Sequence, residues 1–296
     1  MKKTALFRLH FIVFLWGFTA ILGKLITSNA NVLVFYRMLF AAFILYIFIA
    51  FFQKKSLKIS KKLALQLVGI GGVMAFHWLC FFQSIKVSNV SIALSCLSLS
   101  TLFAAFLEPI IFKRKIDFTE VIIGLVIVFC ITVIFKTEFN YKEGILYGVL
   151  TAFFGTLFSV FNGKLYGKTT SSNIIFYEIF GGWFLISLFY LLTGQILQMG
   201  EINFRDFTLI ILLASIFTAY PMLESVSLMK YISPFTLILT VNLEPVYGII
   251  LAFFIFGESE QMSPVFYIAS FVMILAIVIN GILKSKKAKK IIKTLN

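Results

Sequence analysis

Ten runs of about 18–24 apolar residues follow one another along this chain, each long enough to cross a bilayer as a helix. They fall at 7–27, 32–52, 63–85, 89–112, 118–135, 144–163, 173–193, 207–229, 233–256 and 264–283. Only helices and closed barrels satisfy their backbone in lipid. These runs are too long and too uniformly apolar for barrel strands. The sequence therefore predicts an all-α integral membrane protein with ten transmembrane helices. Composition agrees: 60% of the 296 residues are hydrophobic and 13% charged, against about 25% charged in a soluble domain. No length remains for a large soluble module.

The net charge is +14. Its basic residues sit in short gaps between apolar runs, which signals topology rather than nucleic-acid binding. With the N-terminus inside, twenty Lys and Arg residues lie on the inner side, against five outside: Lys24, Lys86, Lys136, Lys142 and Arg205. That bias predicts a multi-pass protein of the cell (inner) membrane with both termini cytoplasmic. Lys2 and Lys3 precede an apolar run with no small-residue cleavage site, so the run reads as a retained first span. The basic cytoplasmic tail, 284–296, pins the last helix and can touch anionic lipid. Cys80, Cys96 and Cys130 lie inside apolar runs without metal-ligand spacing, as buried thiols do.

Five spans per half is an odd number, so related halves must be inverted in the membrane. "LGKL" (22–25) matches "NGKL" (162–165), "FYR" (35–37) matches "FYE" (176–178), and "SIKVSNV" (84–90) matches "LMKYISP" (228–234). The offset drifts only from 140 to 144. The expected organisation is two inverted five-helix repeats, 1–136 and 144–283, as in many secondary transporters.

With "LWGFTAILGKL" in the first span, "YR" in the second, the "SLMKYISPFT" turn and "LEPVYGIILAFFIFGE" in the ninth, the whole chain resembles the EamA-like family of the drug/metabolite transporter superfamily. The resemblance implies ten helices around a central cavity, lined mainly by the first, third and fourth spans of each half. It also implies export of amino acids or other small metabolites. The chain departs from the pattern after its fourth span, where "FKRKID" (112–117) replaces the usual Gly-Glu pair. Aligning Phe112 with Phe256 sets Ser100 and Thr101 opposite Glu244 and Pro245, so Glu108 in the first "LEP" has no repeat equivalent there.

Ionisable groups inside spans cost about 2.5–3.5 kcal/mol each, so each needs a reason. Glu244 lies near mid-depth beside the helix-breaker Pro245. The pair reads as a water-accessible break in which Glu244 binds substrate or carries a proton; a structural carboxyl bonded to a neighbouring helix is the alternative. His77 can bind a substrate carboxylate, relay protons or simply pack. Trp78 is adjacent, about 100° around the helix, and reads as a packing residue that can also line the site. Glu224 and Tyr220, in the proline-broken "TAYPMLES" (218–225), are further cavity candidates. Arg37 and Glu178 align as symmetry mates near opposite faces, each a gate residue or a side chain reaching for the interface. Ser98, with Ser95, Ser100 and Thr101, makes the fourth span rich in hydroxyls that pack helices or line cavities. Gly144, Gly148, Ala152, Gly155, Ser159 and Gly163 give the sixth span small contact faces.

These features predict an alternating-access carrier with a mid-depth site and protons as candidate coupling ions; the resemblance implies that it exports small metabolites such as amino acids. A channel or structural membrane protein is the alternative. No His-Glu-x-x-His, Gly-x-Ser-x-Gly or Walker motif is present, so the residues point to no enzyme, metal or other cofactor. The oligomeric state stays open.

Overall fold

The computed structural model describes residues 2–194, 202–228, 230–231, 240–241 and 243–295. All regular structure among them is helical. The helices are α1 (Lys2–Leu25), α2 (Ala30–Ile47), α3 (Lys61–Val87), α4 (Val90–Leu97), α5 (Ser100–Phe112), α6 (Phe118–Thr137), α7 (Lys142–Leu165), α8 (Ser171–Leu192), α9 (Phe204–Ala214), α10 (Tyr220–Leu228), α11 (Glu244–Phe256) and α12 (Pro264–Leu295). Nine expected spans are helices long and apolar enough to cross a membrane. The start of the ninth span, 233–256, lies largely outside the described residues; its second part is α11.

The sequence marks these boundaries with side-chain caps. Asn29, Ser60, Asn89, Thr170 and Asn203 each accept a hydrogen bond from the backbone N–H three residues on. Such caps satisfy donors that the first helical turn leaves free.

The second, fourth, eighth and ninth spans depart from a regular α-helix. α2 ends in a π-turn, Phe48–Gln53. α9 and α10 are joined by another, Ser215–Ala219. Pro221 explains the second: it has no N–H to donate, and its ring crowds the preceding turn, so the ladder widens just before it. The fourth span is divided between α4 and α5 by a turn at Ser98 and Leu99. There Leu99 N–H reaches back only three residues, to Cys96 O at 3.0 Å. α11 begins the same way: Leu243 N–H bonds Thr240 O at 3.0 Å, and Pro245 falls in the first helical turn, where its missing donor costs nothing. Leu99 and Leu243 are 144 positions apart, the offset of the third sequence match. Pro245 thus starts a helix rather than bending one. The first half makes the equivalent break with no proline.

Packing is reciprocal between the halves. α1 packs on α11, and its counterpart α7 packs on α4 and α5. α3 packs on α7 and α8, whereas α9 and α10 pack on α1 and α2; α6 meets α12. Each half thus lends its first and third spans to the other, the exchange expected of two inverted repeats.

Glycines make the closest crossings. Gly17 of α1 faces Gly248 N of α11, 3.2 Å from where a Cβ would stand. On α7, Gly144 faces Ser88, Gly148 faces Cys96 and Gly155 faces His77, so the small faces read from the sequence are helix contacts. A Cβ at Gly71 of α3 would overlap the Glu178 carbonyl of α8, whereas one at Gly69, two residues earlier, would meet open space. Gly71→Ala should therefore lower stability in detergent by about 1–3 kcal/mol, the usual cost of overpacking. Gly69→Ala should change it by no more than about 0.5 kcal/mol. Equal effects on the melting curve would place the α3–α8 crossing elsewhere.

Candidate functional site

Arg37 does not reach for the interface. It is 2% exposed, on α2, with its guanidinium carbon 3.8 Å from the Trp78 ring centroid and 5.3 Å from that of Phe82. Arg37 Nε donates to Thr218 Oγ1 at 2.8 Å. Thr218 lies in the π-turn and donates in turn to Leu213 O at 2.6 Å, five residues back. The widened turn thus supplies the hydroxyl that holds the guanidinium. Arg37 Nη1 is buried with no partner among the described residues. Arg37 interacts electrostatically with Glu244, at the first position of α11, and with His77. The guanidinium of one half lies over the flat Trp78 ring, within electrostatic reach of a carboxyl of the other half. The packing role expected for Trp78 is only part of what it does.

His77 is held across the repeat boundary. Its Nδ1 is 2.8 Å from Thr151 O on α7. A carbonyl only accepts, so Nδ1 carries the hydrogen and Nε2 is left to accept or to be protonated. Nε2 has no hydrogen bond among the described residues.

Other candidates fall elsewhere. Glu178, expected near an interface, is fully buried; Asn162 Nδ2 donates to its Oε2 at 3.0 Å, and Oε1 has no partner among the described residues. Buried and bonded to the neighbouring helix, it cannot reach for water. Glu224, expected in the cavity, pairs with Arg8 of α1 at 2.5 Å. Tyr220 is 45% exposed and makes no hydrogen bond among the described residues. Ser98 is buried at the α4–α5 break, where its N–H bonds Ser95 O. Glu108 pairs with Arg114 at 2.6 Å. The expected central cavity is not one of the two hollows described. One is lined by Ile249, Phe253 and Met262, the other by Gln66, Gly69 and Lys164; neither touches Arg37 or Glu244.

Sequence reading missed the carboxylates that tie the two halves together. Asp206, at the start of α9, accepts from Thr27 N and Oγ1 and from Ser28 N and Oγ at 2.6–2.9 Å. Glu260 accepts from Val90 N at 3.0 Å, from Ser91 N and Oγ at 2.9 and 2.8 Å, and from Lys24 Nζ at 2.7 Å. Both sit at the end of the bundle opposite the N-terminus. At the N-terminal end, Arg8–Glu224 is joined by Ser172 on Gln53, Asn173 on Ser56 O and Tyr177 on Leu57 O. The missed signal was Asp and Ser beside helix starts, where carboxylates meet free N–H groups.

The sequence profile of the EamA-like transporter family matches residues 4–136 and 142–282. The chain belongs to the EamA-like transporter family. It is thus a multi-pass membrane protein of the drug/metabolite transporter type. A crystal structure described only as that of a protein aligns over 96% of this chain and 99% of its own, with a TM-score of 0.66 and 13% identity. At that identity the likeness concerns the fold alone. No curated protein sequence matches the chain.

Glu260→Gln removes the charge that four donors share and should lower stability by about 2–3 kcal/mol. Glu258→Gln, two residues away and exposed, should leave it within about 0.5 kcal/mol. A melting temperature as low for Glu258→Gln would mean that Glu260 is no clamp.

Proposed function

We propose that this EamA-like protein is a secondary transporter that exports small zwitterionic metabolites such as amino acids by alternating access. One observation carries the proposal: both fourth spans break at equivalent positions, Leu99 and Leu243, and Glu244 opens the helix after the second break; its electrostatic interaction with Arg37 of the other half supports the reading. Discontinuous helices at the repeat interface are where such carriers hold substrate.

Arg37, with Nη1 unengaged and Trp78 beneath it, suits a substrate carboxylate in planar two-point contact. Glu244 suits the ammonium group or a coupling proton. His77 Nε2 offers a further polar contact. Pro245 keeps the break fixed. The carboxylate clamps at one end and the Arg8–Glu224 cluster at the other act as two gates, opened in turn as substrate shifts the population between two states. Glu178, locked to Asn162, holds α8 on α7 while the halves rock. The excess of basic residues at the N-terminal end orients the chain with both termini in the cytoplasm of a cell whose inner membrane it occupies. A transmembrane gradient of protons, of another ion or of the substrate itself drives the cycle.

Counterflow in proteoliposomes tests this reading. Vesicles loaded with unlabelled amino acid should accumulate the labelled compound saturably. Arg37→Gln and Glu244→Gln should each lower the rate at least about tenfold, the effect of losing one charged contact. Uptake that never saturates would indicate a channel. Full activity in Arg37→Gln would move the site away from the break.

A further inference from the structure

A hollow of about 290 Å³ opens between α3 and α7, at the end of the bundle that holds the N-terminus. The two helices run in opposite directions, so their residues sort by depth. Gln66 of α3, Lys164 of α7 and Lys168 in the turn that follows lie at the mouth. Ile70, Val73 and Phe161 lie one to two turns deeper. Gly69 keeps the slot open: no heavy atom lies within 4 Å of the point where its Cβ would stand.

The mouth is basic and unopposed. No acidic residue lines the hollow. Among the described residues, neither Lys164 nor Lys168 pairs with a carboxylate. The second hollow, between α11 and α12, has apolar walls and no basic residue; it offers what any acyl chain accepts. Of these two hollows, the α3–α7 slot joins two ammonium groups at the membrane edge to an apolar floor running inward. A molecule with a phosphate at the interface and a hydrocarbon chain beneath it matches both parts.

We propose that the α3–α7 slot is a binding site for an anionic phospholipid. Its phosphate sits between Lys164 and Lys168, and one acyl chain lies along Gly69, Val73 and Phe161. The site is separate from Arg37 and Glu244, and its fate does not depend on the transport reading.

Native mass spectrometry of the full-length protein, titrated with phosphatidylglycerol or phosphatidylcholine of identical chains, tests the proposal. Wild type should retain phosphatidylglycerol in preference. Lys164→Gln with Lys168→Gln should weaken that binding about 30-fold, from about 1 kcal/mol per lysine. Gly69→Leu puts a side chain into open space on an exposed helix face, so the protein should fold; it should lose the lipid with both lysines intact. Lys54→Gln with Lys55→Gln removes the same charge at the same end, outside the hollow, and should bind as wild type does. Glycerol phosphate, a headgroup without a chain, should not displace the lipid. Equal loss in the two lysine pairs would mean diffuse attraction to a basic surface and overturn the site. Undiminished binding in Gly69→Leu, equal retention of phosphatidylcholine, or displacement by glycerol phosphate would overturn it as well.

Discussion

A bilayer core offers no partner to an unpaired backbone N–H or C=O. A spanning helix can therefore break only where protein or water replaces the lost bonds. This chain breaks its fourth span twice, once in each half, at Leu99 and at Leu243. Each break leaves a fresh helix start inside the bundle, with donors to satisfy. That requirement accounts for much of what surrounds it. α1 lies close against α11 because Gly17 and Gly248 carry no side chains to hold them apart. α7 covers the α4–α5 break through its own row of small residues. Packing of each first span on the other half's fourth span shields both breaks from lipid.

The same arrangement separates apolar contacts from polar ties. Apolar packing and glycine crossings hold the middle of the bundle. The ends are tied by carboxylates: Asp206 and Glu260 at one, Glu224 at the other. These ties join one half to the other and consist of hydrogen bonds and ion pairs, which water can replace. A large apolar interface has no such substitute. The π-turn at Ser215–Ala219 belongs between the two classes. It is a local loosening of a buried helix, and its Thr218 anchors the guanidinium of Arg37.

Much of the fold was legible because the bilayer imposes a coarse code. Run length gave the helices, and the odd number of spans per half gave the inversion. The ninth-span break was legible because Pro245 cannot hide. Its twin at Ser98 was not, because serine turns within a helix carry no comparable mark; only the repeat alignment pointed there. Of the two readings of Arg37, the one that sent it to the interface failed for a related reason. Depth along a span says how far a residue lies from the surface, not which neighbours surround it. Trp78, Phe82 and Thr218, which hold the guanidinium, come from two other helices. Glu224 was misread in the same way, since Arg8 lies 216 positions away in sequence. The carboxylate clamps were missed because Asp206 and Glu260 look like ordinary loop acids until chain folding brings free N–H groups to them.

The most exacting test is whether Arg37 of the first half and Glu244 of the second are energetically coupled across the repeat boundary. A double-mutant cycle with Arg37→Met and Glu244→Gln, read by unfolding in detergent, measures this directly. A shared site should give a coupling energy of about 1–3 kcal/mol, the double variant losing less than the two single losses combined. Additivity within about 0.5 kcal/mol would show that the two groups do not share a site, and the mid-depth break would lose its role.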